Sequence, residues 1–370
     1  MKKRYLSFAG AMLCTASLAG CSLTGTAASQ TAVSQGRSQA ETEKQQTAEK
    51  GQSAGQGLQT VQTANMENGQ PEPASGDMQS SAGTPAVYMT TDISAEGLMM
   101  IYEALGAKLP EGNIAVKIST GENGSNYLRP ELIGNLVHAV NGTIVECNTA
   151  YGGDRANTAY HMQLAEDHGY TAIANVDIMD ADGDMALPVA GGTHLTENYV
   201  GSHFENYDYY IVLSHFKGHA MAGFGGAIKN ISIGIASADG KAHIHSGGTG
   251  GSMWGGDQNA FLESMAEAGK SVSDHMDGNM LYINVMNRLS VDCDCDGNPA
   301  EPDMHDIGIL ASFDPVAVDQ ACIDLVYGAE DGASLIRRIE SRNGLLTLEH
   351  AEEIGLGSRS YELVDIDKAD

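Results

Sequence analysis

Basic residues are scarce in this chain: 20 Lys and Arg stand against 48 Asp and Glu, a formal net charge of −28. A surface that negative repels phosphodiester backbones and anionic headgroups, which argues against nucleic acid and acidic lipid as partners. Apolar runs are short as well. Beyond the N-terminal segment none approaches the roughly 20 residues that cross a bilayer as a helix. Cysteine is sparse, at six residues in 370. That is too thin for a disulfide scaffold, and no run of cysteines resembles those of ferredoxins. No internal repeat is present.

What is present begins at the N-terminus. Lys2, Lys3 and Arg4 form a positive head, residues 5–17 a short, mostly apolar stretch, and Leu18-Ala19-Gly20-Cys21 closes the segment. The stretch has the layout of a secretory signal. Its ending resembles the lipobox of bacterial lipoproteins, in which the cysteine thiol takes the lipid and becomes the new N-terminus. The expectation is a signal peptide at 1–20, lipidation at Cys21, and an exported protein anchored to the cell membrane, facing outside the cytoplasm. Residues 22–86 are Ser, Gln, Thr, Ala, Gly and Glu with almost no large apolar side chain. Such a segment buries too little surface to offset chain entropy, so it reads as a disordered tether.

Residues 87–370 are long enough for one large domain or two small ones. Short apolar runs at 87–90, 114–118, 143–146, 209–213, 281–285 and 307–310 read as strands. Helical patterns at 95–105, 130–140, 158–168, 261–274, 315–326 and 334–342 alternate with them. The alternation predicts an α/β fold, a mostly parallel sheet flanked by helices, with room for two lobes. Pro130 and Pro315 suit first helical turns. Ligands of such sheets sit at the carboxyl ends of strands, and the polar segments fall in those loops.

The densest is 214–230, SHFKGHAMAGFGGAIKN, after the strand at 209–213. His215 and His219 are candidate acid/base groups. Gly223, Gly225 and Gly226 would let backbone N–H groups approach an anion at the start of a helix, and Lys229 would add a full charge. The spacing is not that of a P-loop. A second segment, 243–257, holds His243 and His245; in an extended chain both point to one face and could meet one metal. Six glycines around the single tryptophan, Trp254, follow. The third, 291–310, sets Cys293 and Cys295 among Asp292, Asp294 and Asp296, with Asp303, His305 and Asp306 downstream. Thiolates, carboxylates and imidazole in one loop suggest a divalent metal, and Cys293, Cys295 and Asp306 are its candidate ligands; a disulfide is the other reading for such thiols outside the cytoplasm. Arg129 and Arg155 could each clamp a carboxylate or phosphate. Cys147 and Cys322 read as small core hydrophobes.

The strings LRPEL, NTAYGGDR, SHFKGHAMAGFGGAIKNISIGI, DCDCDGNPAEPDMHDIGILAS and DPVAVDQA, in that order, resemble the family called domain of unknown function 362. The resemblance covers essentially all of 87–370, and that family has no general biochemical assignment. A fainter similarity runs to the lactate racemase family, the nickel-pincer enzymes. It implies a cofactor-bonding role for Lys229 after His219 and Gly223-Phe224-Gly225-Gly226, a nickel-ligand role for His245, and a substrate-carboxylate role for Arg129. Three functions stay open on the residues: a metal- or cofactor-dependent enzyme acting on a small anionic substrate, a non-catalytic lipoprotein that binds a metal or small ligand, and a redox protein working through Cys293 and Cys295.

Overall fold

The computed structural model describes residues 83–250 and 252–368. The expected signal, Cys21 and the tether as far as residue 82 lie outside them. In chain order the strands are β1 (Ala86–Thr90), β2 (Ile114–Lys117), β3 (Thr143–Glu146), β4 (Val176–Ile178), β5 (Asp184–Pro188), β6 (Glu197–Gly201), β7 (Tyr209–His215), β8 (Lys217–His219), β9 (Gly223–Gly225), β10 (Met280–Met286), β11 (Gly308–Ser312) and β12 (Glu362–Asp365). The helices are α1 (Ala95–Leu105), α2 (Pro130–Ala139), α3 (Thr158–Asp167), α4 (Ala227–Ser232), α5 (Ala238–His245), α6 (Gln258–Met276), α7 (Pro315–Gly328), α8 (Ala333–Ser341) and α9 (Leu346–Glu353).

Local chemistry sets the helix ends. The Ser94 side chain accepts the Gly97 N–H at the start of α1, and Gly106 closes that helix in the left-handed region at φ 63°. The Asp314 carboxylate accepts from Val316 and Ala317 N–H while Pro315 fills the first turn of α7. Each cap satisfies amides that a helix terminus otherwise leaves without a partner.

Eight strands form one sheet in the order β12-β1-β11-β10-β7-β2-β3-β4. Only β11 runs against both its neighbours, so the sheet is mostly parallel. Side chains alternate across it, as period two requires. Ile211, Leu213, Ile283 and Val285 join α1 and α2 in one core layer. Tyr210, Val212 and Tyr282 join α4, α6 and α7 in the other. Both faces are thus covered by helices. A third cluster, around Leu195, Ile244, Phe261 and Leu262, extends the α6 side. It carries the β5–β6 hairpin and α5 as an outgrowth of the same layer, and among the described residues no second lobe forms.

The strand order reverses at β2. From β2 the sheet grows through β3 to β4 on one side, and the chain then returns to place β7 on the other. The crevice outside the carboxyl ends of strands at such a reversal is where open α/β sheets bind ligands. One expectation fails here. His243 and His245 do not lie in an extended segment, because Ser237 caps Gly240 N–H and residues 238–245 coil into α5. Two positions on a helix are about 200° apart, so the two rings leave on opposite sides.

Candidate functional site

Three strands end on one cavity of about 430 Å³. Lys117 ends β2 and is fully buried. Its Nζ donates to Glu146 Oε1 and Asn230 Oδ1, each at 2.9 Å, and to Ile118 O at 2.6 Å. Glu146 ends the parallel neighbour β3 and also faces Arg155 Nη1 at 3.6 Å. Arg155 is held in turn by Glu122, Nε to Oε1 at 2.8 Å, and by Tyr151 Oη at 2.7 Å. Burial opposes ionisation of Glu146, but Lys117 and Arg155 outweigh it and bring its pKa down to about 2. This is a buried, fully paired ionic floor.

The end of β7 builds the next wall. His215 Nδ1 lies 2.8 Å from Asp294 Oδ2, and Nε2 lies 2.8 Å from Asn287 O. Lys217 Nζ donates to the other Asp294 oxygen at 2.8 Å. Asp294 is buried, yet His215 and Lys217 hold its carboxyl well below the usual carboxylate range. With both ring nitrogens on oxygen acceptors, His215 has none left for acid/base work.

Two other imidazoles face the cavity in opposite states. His219 Nδ1 accepts backbone N–H groups of Ala222 at 2.9 Å and Met221 at 3.2 Å. Burial and the nearby Lys229 charge hold its pKa well below the ordinary value, so the ring is neutral and its one proton sits on Nε2. His245, stacked on Phe261 at 4.6 Å, has Nδ1 2.7 Å from Lys241 O and must donate there. Burial pushes its pKa down to about 4, so its Nε2 carries a free lone pair. His219 therefore offers a donor and His245 an acceptor.

The cavity is cationic. Its lining holds Lys117, Lys217, Lys229, Lys241 and Arg155 against two carboxylates, Glu146 and Asp294. Among the described residues Lys229 Nζ has no hydrogen-bond or ion-pair partner. Among the same residues Lys241 Nζ donates only to Ala236 O, at 2.6 Å. Burial lowers both ammonium groups, Lys229 to about 8. Cys293 and Cys295 line the same cavity and are joined as a disulfide. A ring nitrogen of His219 and the two sulfurs lie within 4.8 Å of one another.

The structure thus brings His215, His219, Gly225, Gly226, Lys229, His245, Cys293 and Cys295 to one cavity. It leaves others out. Arg129 sits at the start of α2 with its guanidinium 3.9 Å over the Tyr127 ring, since the chain turns there to admit Pro130. His243 packs edge-on to Tyr199 at 5.5 Å. Asp306 accepts the Arg288 N–H at 2.6 Å and closes its own loop. Gly223, at φ 82°, allows close backbone approach: a Cβ there would lie 3.0 Å from Ile339 O. The glycine run does not cradle an external anion at α4. The buried Asp319 carboxylate takes that place, accepting Ala227 N–H at 2.7 Å and Ile228 N–H at 3.0 Å, and a Cβ on Gly226 would lie 2.2 Å from it. Lys117, Glu146 and Lys241 were not legible as site residues, although a lysine at the end of an apolar strand was a signal to follow.

Fold and site together define a doubly wound α/β protein with a cationic cavity at its topological switch point. The profile of the family described as domain of unknown function, DUF362, matches residues 114–324, and the chain belongs to that family. No curated protein matches it. Among solved structures, the lactate racemase apoprotein from Thermoanaerobacterium thermosaccharolyticum is similar at 15% identity and a TM-score of 0.40, over 65% of this chain and 56% of that one. A protein from Thermotoga maritima is similar at 13% identity and a TM-score of 0.36, over 70% and 58%. The chain spans less than two thirds of the length of either.

Proposed function

We propose that the cavity binds a small anionic ligand of the carboxylate or phosphate class, in a lipoprotein held at the membrane by Cys21 and facing outside the cytoplasm. One observation carries the ligand reading: among the described residues two ammonium groups, Lys229 and Lys241, border the cavity without a carboxylate in ion-pair contact, in a chain of net charge −28. Removing an ammonium from water without a counter-charge costs several kcal/mol, on the order of what a bound anion would restore. Lys229 would contact the anion, the His219 Nε2–H would donate to it, and the His245 lone pair could take a proton from it, which is the minimum equipment for acid/base chemistry. A divalent ion, or the metal group implied by the racemase resemblance, would find His245 Nε2 as its imidazole ligand and Lys229 as its point of attachment. Cys293 and Cys295 could join as thiolates only once reduced.

The test is calorimetric titration of the purified protein with inorganic phosphate, acetate and malonate, repeated on Lys229→Met. Saturable binding of at least one anion, weakened about ten- to a hundredfold in the variant, is expected for loss of a charge-assisted contact. Absence of binding by all three, or unchanged affinity in a folded variant, would overturn the reading.

A further inference from the structure

The disulfide has no structural task that its position would explain. It links residues two apart in sequence, so it closes almost no loop and constrains little of the unfolded chain. Both cysteines are half-buried and both line the cavity. The two sulfurs are not equivalent. Cys293 Sγ accepts the Cys295 backbone N–H at 3.2 Å. His219, whose Nδ1 is committed to two backbone amides, has only its Nε2–H to offer to the sulfurs beside it. A sulfur that gains negative charge at Cys293 is therefore met by one donor already in position, the Cys295 N–H, with the His219 ring close enough to supply a second, the arrangement that makes a thiolate a good leaving group.

We propose that Cys293–Cys295 is a reactive dithiol/disulfide couple that exchanges with small thiols bearing a negative charge. The charge selection rests on the cavity being an anion site. A substrate thiol gives its proton to the His245 lone pair or to water, and its sulfur bonds to Cys295 Sγ. The Cys293–Cys295 bond breaks, and its electron pair stays on Cys293 as a thiolate hydrogen-bonded by Cys295 N–H and His219. A second substrate thiol then attacks the substrate sulfur of the mixed disulfide, releasing the substrate disulfide and leaving Cys295 as a thiolate that takes up a proton. Two thiols lose two electrons and two protons; the cysteine pair gains both electrons and one proton, at Cys295, and the other proton goes to His245 or water. A disulfide of the same class reverses the sequence and restores the bond. The acidic surface would turn anionic molecules away in general, while the cationic cavity, with Lys229 in no direct ion pair among the described residues, holds those that enter with their charge toward the lysines.

The experiment measures reduction of the oxidised, folded full chain by mercaptoacetate, 2-mercaptoethanol and cysteamine, with alkylation and mass spectrometry counting free thiols over time. Rates are expressed per thiolate. Mercaptoacetate should react about tenfold or more faster than cysteamine, and Lys229→Met should erase most of that ratio. His219→Phe should slow all three, while His219→Gln, which keeps an N–H donor, should recover part of the rate. Reduction only after unfolding, or one rate for all three thiols, would overturn the proposal. If phosphate binds but the disulfide is inert, the exchange fails and the anion reading stands. If the disulfide reacts without charge preference and no anion binds, the anion reading falls with the substrate class.

Discussion

The carboxylate of Asp319, on α7, sits at the first turn of α4 and accepts the backbone N–H groups of Ala227 and Ile228. A third donor, Asn284 Nδ2, reaches it at 2.7 Å. The protein has thus placed an anion of its own where its glycine run would otherwise receive one. Burial raises the Asp319 pKa from 3.8 to about 6 despite these donors. A raised folded pKa means the folded state holds the proton more tightly, so stability is highest below the unfolded value and falls as pH rises from about 4 to about 6. The shift corresponds to about 3 kcal/mol. Asp319→Asn should flatten that limb in urea titrations run from pH 4 to 7, and Asp319→Ala, which orphans three buried donors, should cost about 2–4 kcal/mol. Parallel pH profiles for wild type and Asp319→Asn would mean that the group is not titrating there.

Much of the fold could be read from the chain, because the strands at 114–117, 143–146, 209–215 and 280–286 are nearly continuous apolar runs and the helices between them carry recognisable caps. The sheet order could not, since β2 meets β7 across almost a hundred residues through pairing that leaves no local trace. The site divides in the same way. His215, His219, Lys229 and the cysteines stand in short polar strings at strand ends and were visible. Glu146 meets Lys117 over a separation of 29 residues, and Asp319 meets Ala227 over 92. Such partners come together only when parallel strands and packed helices set the register. His243 misled because alternation of polar and apolar residues suits a strand, whereas an eight-residue helix capped by Ser237 is specified by its packing on α6.

Glu146 gives an acid-side prediction. Its pKa falls from 4.5 to about 2 because Lys117 and Arg155 more than offset its burial. A depressed folded pKa contributes stability above the unfolded value that is lost as pH falls from about 4.5 toward 2, here about 3 kcal/mol. Glu146→Gln leaves Lys117 and Arg155 buried beside a neutral partner. It should destabilise the protein at pH 7 by about 3–5 kcal/mol and remove that part of the acid limb. A shift below 1 kcal/mol in chemical denaturation would show that the ionic floor is redundant.

Anchoring can be tested at Cys21, the residue that closes the lipobox-like string. Cys21→Ala should leave the precursor unprocessed or release the protein from the membrane fraction, with a mass change equal to loss of the lipid. Mature-size variant still sedimenting with membranes as wild type does would rule the anchor out.

Lys229 links the cavity to pH. Burial lowers its pKa to about 8 despite the favourable charge of Glu146, and among the described residues no carboxylate pairs with it directly. An anion bound beside it favours the protonated form, so proton and ligand bind with mutual reinforcement. Affinity for inorganic phosphate or malonate should then be flat from the point at which the anion is fully ionised up to about pH 8. Above that it should fall toward tenfold per pH unit, as the ammonium is lost, and level off once the pKa of the liganded state is passed. Lys229→Arg keeps a charge that does not titrate in this range and should hold its affinity to higher pH. Lys229→Met should bind weakly and lose this fall above pH 8. The three profiles decide between a ligand-contacting lysine and one that only borders the cavity, because a bystander would leave the wild-type and Met curves parallel. His245 provides the internal control: with a pKa near 4 it stays neutral throughout the window and contributes no slope there.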